Sequence, residues 1–205
     1  VLLYSLKPEE GEGANKADIV MGAFQTGDLV SDIVLNIEQL YGVAWYFHKL
    51  NGKYAVRDRQ NEIALIQNEA STVDEQVALG QIAETVEDIF GTGAHAVGFA
   101  DGDLKQVPDS SELKVVVSAD GWTDEGIQTI IKNADGSPGR EWRNTVIFIQ
   151  PSGEKGITSG TGYVEKARYI KGAAEVLRDD TLDEGVENAV RREKQNETRE
   201  LRGRI

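Results

Sequence analysis

Lys49, Lys53, Arg57 and Arg59 place four cations within 11 residues, on either side of an Asn51-Gly52 pair. Cations spaced along a β-ribbon can lie on a nucleic-acid backbone, where they replace condensed counterions. A second group, Arg140, Arg143 and Asn144, sets two guanidinium forks and an amide at the start of an apolar run. Such forks bind phosphate or carboxylate through paired hydrogen bonds, which makes the trio a candidate anion site. The same residues can instead tie loop 135–139 to the acidic middle of the chain. Trp142, between the two arginines, reads as a packing anchor rather than a platform for a stacked base.

Other chemistry is sparsely represented. There is no cysteine, which excludes disulfides, thiolate catalysis and Cys-based zinc sites. The two histidines, His48 and His95, are far apart, so no His-metal cluster is expected. His48 reads as a half-exposed strand residue and His95 as a turn or loop residue. Asp101, Asp103 and Asp109 could present oxygens to a cation, but their spacing lacks the closing Glu of an EF-hand loop. Ser118 and Ser159 have no histidine nearby in sequence. No catalytic residue, cofactor or metal site is therefore expected.

The elements that would carry these residues follow one another closely. Gly11 to Gly13 is a flexible lead-in, and Asn15 caps a helix over 16–24, with Ala17, Val20, Met21 and Phe24 as its apolar stripe. A turn at Gln25-Thr26-Gly27-Asp28 leads to a second helix, capped by Ser31, running to about Tyr41 and stopped by Gly42. Its stripe is Val34, Ile37, Leu40 and Tyr41, leaving Ser31, Asp32, Asn36 and Gln39 outside. From Val43 the period changes to two, and 43–49 and 53–57 flank the Asn-Gly hairpin signal. Helix, turn, helix, hairpin is the order of a winged helix-turn-helix. In that reading Ser31, Asn36 and Gln39 face base edges, while Lys49, Lys53, Arg57 and Arg59 lie along phosphates. The second helix itself has no Lys or Arg, which favours a docking role over a DNA-reading one.

Helical patterns at 60–68 and 74–90 come next, separated by a break at 69–72. Short strands at 94–100, 113–117 and 144–149 then alternate with a helix over 123–132, a turn at 101–103 and a loop over 133–139. A helical stripe through Tyr163, Ala167, Ile170, Ala174 and Leu177 resumes at Leu182, Val186, Ala189 and Val190 after Asp179-Asp180. Residues 191–205 form a solvated extension or a frayed end. The expected fold is α+β: a winged helix-turn-helix over 1–70, then a small α/β domain with a long carboxyl-terminal helix over 71–205.

The net charge is −13, concentrated in the middle of the chain: residues 61–120 carry 12 acids against 2 bases. Such a surface repels duplex DNA at low ionic strength, although in molar salt the Debye length shrinks to about 3 Å. A salt-adapted protein fits the acidity. No run reaches the roughly 18 apolar residues of a membrane span, and the first residues lack a secretory signal. The expected location is the cytoplasm, with no membrane contact, and both ends read as cuts from a longer chain.

Several phrases together resemble a known family. They are Ala44-Trp45-Tyr46-Phe47-His48-Lys49 with its Gly-Lys-Tyr return strand, Phe99-Ala100-Asp101 with Pro108-Asp109, and Arg140-Glu141-Trp142-Arg143-Asn144-Thr145-Val146-Ile147-Phe148 before Gln150-Pro151. This set resembles the middle of the large predicted P-loop ATPases encoded beside DNA methyltransferases in phage-defence clusters, the PglY type. The resemblance implies a parent with an ATPase domain ahead of this region, and a winged helix that contacts duplex DNA, the parent ATPase domain or other subunits. No Gly-x-x-x-x-Gly-Lys-Ser/Thr occurs here; Gly91-Thr92-Gly93 and Gly160-Thr161-Gly162 lack the lysine, so this region is expected not to hydrolyse ATP. The alternative is a free-standing acidic winged-helix regulator that binds DNA. An enzyme with an unrecognised site in the α/β region is a third reading.

Overall fold

The computed structural model describes residues 1, 13–99, 107–132, 139–152, 156–158 and 162–205. Asp101, Asp103, Ser159, Gly160 and Thr161, most of the 133–139 loop and most of the glycine lead-in lie outside the described residues. The fold is α+β, with seven α-helices and two small sheets among the described residues. The chain divides into two compact units, Val1–Thr72 with Gly172–Lys194, and Val73–Lys171 with Gln195–Ile205. The first break falls beside the expected 70/71 boundary. Residues 172–194, which the sequence reading assigned to the second domain, belong to the first unit.

In the first unit, α1 (Lys16–Ala23) begins as expected. Asn15 Oδ1 accepts from Asp18 N–H at 2.9 Å while the Asp18 carboxylate accepts from Asn15 N–H, a reciprocal capping box. Its expected stripe does not form a core. None of its residues is buried, and Met21 and Phe24 are 83% and 50% exposed. Helix α2 (Val30–Val43) is capped by Leu29 without a side-chain bond, so Ser31 lies inside the helix and is not its cap. Gly42 does not stop the helix either. It is buried, and a Cβ there would lie 2.7 Å from Gln67 Oε1. The missing side chain lets α2 approach α3 (Glu62–Thr72), which runs through the expected break at 69–72.

Strands β1 (Phe47–Leu50) and β2 (Lys53–Val56) pair antiparallel, Phe47 opposite Val56 and Leu50 opposite Lys53. The turn has φ of 51° at Asn51 and 76° at Gly52, both left-handed, as a tight Asn-Gly turn requires. Residues 43–46, read as strand, instead finish α2 and turn into β1. Ala14 forms an isolated antiparallel bridge to Tyr54, placing a third extended segment beside β2. Tyr54 has no exposed surface. Its ring stacks on Phe47 at 5.6 Å, and with Ile37 the two rings form one buried cluster of this unit.

Asn61 joins these elements. Its side chain is fully buried, and Nδ2 donates to the carbonyls of Tyr41 (2.7 Å), Phe47 (2.8 Å) and Ala44 (3.2 Å). Its Oδ1 accepts from Ile63 N–H at 3.0 Å. One amide thus satisfies carbonyls at the end of α2 and in β1 together with an orphan N–H at the start of α3.

In the second unit, β3 (Ala94–Val97), β4 (Lys114–Ser118) and β5 (Val146–Ile149) form a parallel sheet in that order. One face carries Ala96 and Val117 against α4 (Glu75–Phe90) and Ala167 of α6 (Tyr163–Val176). The other carries Val97, Val116 and Phe148 against Ile130 of α5 (Asp124–Lys132). Cover on both faces explains the continuous apolar run 115–117. His95 is the second residue of β3, not part of a loop, and burial holds its pKa below the usual histidine range. Helix α7 (Glu184–Arg204) continues through the stretch read as solvated or frayed, with Leu201 fully buried.

Asn61→Ala should lower the unfolding free energy by about 2–4 kcal/mol, because several backbone groups lose their partner in a dry interior. Asn61→Asp should cost more, since a carboxylate would then face three carbonyls. Urea midpoints, compared with those of the exposed-site control Asn68→Ala, check both; equal midpoints would refute the bracing role.

Candidate functional site

The hairpin does not present its cations in an outward row. Lys49, Arg57 and Arg59 converge on a cavity of about 460 Å³ within the first unit, and Arg192 of α7 completes the group. Two carboxylates, Glu62 and Glu193, share the lining, together with Tyr41 and Asn188. With Lys49 paired to Glu38, three arginines against two acids leave this cavity positive in a chain of net charge −13.

Each cation arrives by a different route. Arg57 follows β2, where its N–H donates to Tyr46 O at 2.9 Å. Its side chain is half-buried, and Nε is fully covered without a hydrogen-bond partner. Arg59 is fixed through its backbone: His48 Nε2 donates to its carbonyl at 2.9 Å, which also sets the histidine tautomer. His48 is 5% exposed, not the half-exposed residue expected from strand alternation. Arg192 comes from more than 130 residues along the chain, so no local signal could have placed it here. Lys53 is half-buried and does not line the cavity.

Lys49 is held in an ion pair. Its Nζ lies 2.9 and 3.0 Å from the two Glu38 oxygens and 5.3 Å from the centre of the Tyr54 ring. Glu38 also pairs with Lys16 at 2.7 Å and accepts from Tyr54 Oη at 2.7 Å. The bonds from Lys16, Lys49 and Tyr54 lower the Glu38 pKa to about 2. The pairing keeps Lys49 charged and raises its own pKa.

Ser31, Asn36 and Gln39 are all exposed on α2, with Asn36 and Gln39 three residues apart on its outer side. Their neighbours differ from the expected polar surface. Leu35, Leu40 and Val43 are exposed on the same helix, Leu29 and Val30 at its start, and Met21 and Phe24 at the end of α1. Leu40, read as a core position, is 48% exposed.

In the second unit, the Arg140 guanidinium is buried and donates to the carbonyls of Ile130, Val107 and Pro108. All three of its nitrogens therefore face backbone acceptors and do not form an open fork. Arg143 is exposed and donates Nε–H to Arg140 O, and Asn144 is exposed. Trp142 is 43% exposed; Trp122, edge-on to Phe148 at 5.0 Å, is the packed indole. Asp109 accepts from Glu141 N–H and Trp142 N–H, which lowers its pKa and gives it a loop-bracing role. Ser118 Oγ donates to Gly121 O. Among the described residues no group of three or more His, Cys, Asp or Glu side chains could hold a metal ion. Among them, too, no helix is long and apolar enough to cross a membrane.

Comparison with protein-family models, curated proteins and solved structures gives no match for this chain.

The Glu38 network has a pH signature. A carboxyl held near pH 2 when folded and near 4.3 when unfolded adds stability above the unfolded value, and loses it as pH falls toward 2. Glu38→Gln should cost about 1 kcal/mol at pH 7, a modest figure because Glu38 and its two lysine partners are about one-third exposed or more. Between pH 5 and 2 the wild-type advantage over the variant should shrink to nothing. Thermal melts of both proteins at half-unit pH steps test this; parallel curves would exclude the network as a source of acid sensitivity.

Proposed function

We propose that the first unit is a winged helix-turn-helix module that docks a protein partner through α1 and α2, as a non-catalytic part of a larger ATPase-type protein in DNA-associated phage defence. The element order α1, turn, α2, hairpin supports the winged-helix reading. So does the Ala14–Tyr54 bridge, which adds a third short segment beside the hairpin as such modules do.

One observation carries the choice of partner. The helix that would enter a major groove exposes Leu35, Leu40 and Val43, is preceded by Leu29, and contains no Lys or Arg. Base-reading helices rely on cations and amides near phosphates and base edges. This surface instead offers exposed apolar side chains beside Asp28 and Asp32, the composition of a protein-docking face. The partner best suited to it is an apolar surface with a basic rim, and the parent's ATPase domain is the partner that the sequence resemblance suggests.

A free-standing DNA-binding regulator is the second reading, supported by the exposed Asn36 and Gln39. Its phosphate contacts are weakened by the engagement of Lys49 with Glu38 and by the convergence of Arg57 and Arg59 on the cavity.

Joint expression with the segment encoded immediately upstream tests the proposal. The pair should co-purify, and Leu35→Glu combined with Leu40→Glu should weaken the complex at least tenfold with little change in melting temperature. In parallel, anisotropy with a 30-base-pair duplex at low salt should show weak binding that Asn36→Ala and Gln39→Ala do not alter. Tight duplex binding lost in those two variants would overturn the docking proposal in favour of the regulator.

A further inference from the structure

We propose that the basic cavity between the hairpin and α7 is a binding site for a small oligophosphate anion, separate from the docking face on α1 and α2. The argument rests on charge, donors and size together. Lys49, Arg57, Arg59 and Arg192 surround one cavity, while its lining supplies two carboxylates. Among the described residues, Arg59 and Arg192 make no side-chain hydrogen bond or ion pair, although both are within a protein rich in acid. Lys49 is neutralised by Glu38, so the uncompensated charge belongs to the three arginines, whose mutual repulsion is relieved when an anion enters.

Arg57 also lines the cavity. Its Nε is covered by the protein itself, so the guanidinium meets an anion through its terminal nitrogens. Guanidinium groups match the oxygens of a phosphate through paired donors, and three of them suit a chain of two or three phosphates better than a single carboxylate.

The volume of about 460 Å³ falls within the range of small-molecule sites. Asn188 adds an amide donor, and Tyr41 gives one wall an aromatic surface. The site is also braced from behind. The bond from His48 to Arg59 O fixes the backbone where the chain leaves β2, and the Glu38 network fixes Lys49.

Calorimetric titration of the full chain with pyrophosphate, tripolyphosphate, ATP and citrate, in 50 mM and 1 M salt, tests the assignment. Pyrophosphate or tripolyphosphate should bind at one site per chain, more weakly at high salt, and at least tenfold more tightly than citrate. Arg59→Gln and Arg192→Gln should each weaken binding about tenfold. Because both side chains are exposed, the melting temperature of the ligand-free variants should hold or rise, which separates lost binding from lost folding. Arg192→Lys should recover part of the affinity. Equal affinity for ATP and tripolyphosphate assigns the site to the phosphate chain alone; tighter binding of ATP assigns it to a nucleotide. Absence of heat with every phosphate, equal binding of citrate, or full affinity in both glutamine variants overturns the proposal.

Discussion

The first unit depends on one carboxylate. Glu38, midway along α2, holds Lys16 at the start of α1, Lys49 on β1 and the hydroxyl of Tyr54 on β2. Four elements thus meet at two oxygen atoms. The arrangement matters most for α1, which buries none of its residues and is otherwise held by the bridge at Ala14 and partial packing of Ile19. It also orients the Tyr54 hydroxyl, whose ring forms the centre of the small core. A polar tie does here what apolar burial does in the second unit, because short helices and a two-stranded hairpin cover little apolar area.

The same tie decides what the basic residues can do. Lys49 is engaged by Glu38. Arg57 and Arg59 leave the hairpin on the side that α7 covers, where Arg192 joins them. A chain of net charge −13 therefore contains a local concentration of positive charge. The apolar face of α1 and α2 is a separate surface with the opposite character.

The second unit uses its buried cations for architecture. Arg140 reaches the carbonyls of residues 107, 108 and 130, and Lys114, 2% exposed, donates to those of Ser110 and Glu112. A segment without regular structure next to a parallel sheet carries carbonyls that no strand satisfies. Long cationic side chains threaded beneath it supply the donors. This accounts for the position of Arg140 beside an apolar run, which in sequence alone looks like an anion site.

By itself the sequence determined the local elements and the class. Asn15 specified a capped helix, Asn51-Gly52 a hairpin, and the apolar runs 115–117 and 146–149 strands of a small sheet, since capping, φ preference and residue period act over a few positions. Tertiary structure alone decided which groups share a site. Gly42 looked like a helix stop but serves close packing against Gln67; Asn61 fell within a helical pattern but braces three elements; Arg192 looked like surface charge but completes a cavity with Arg57 and Arg59. Each of those roles is defined by a neighbour distant in sequence, and local periodicity holds no record of a contact made only when the chain closes on itself.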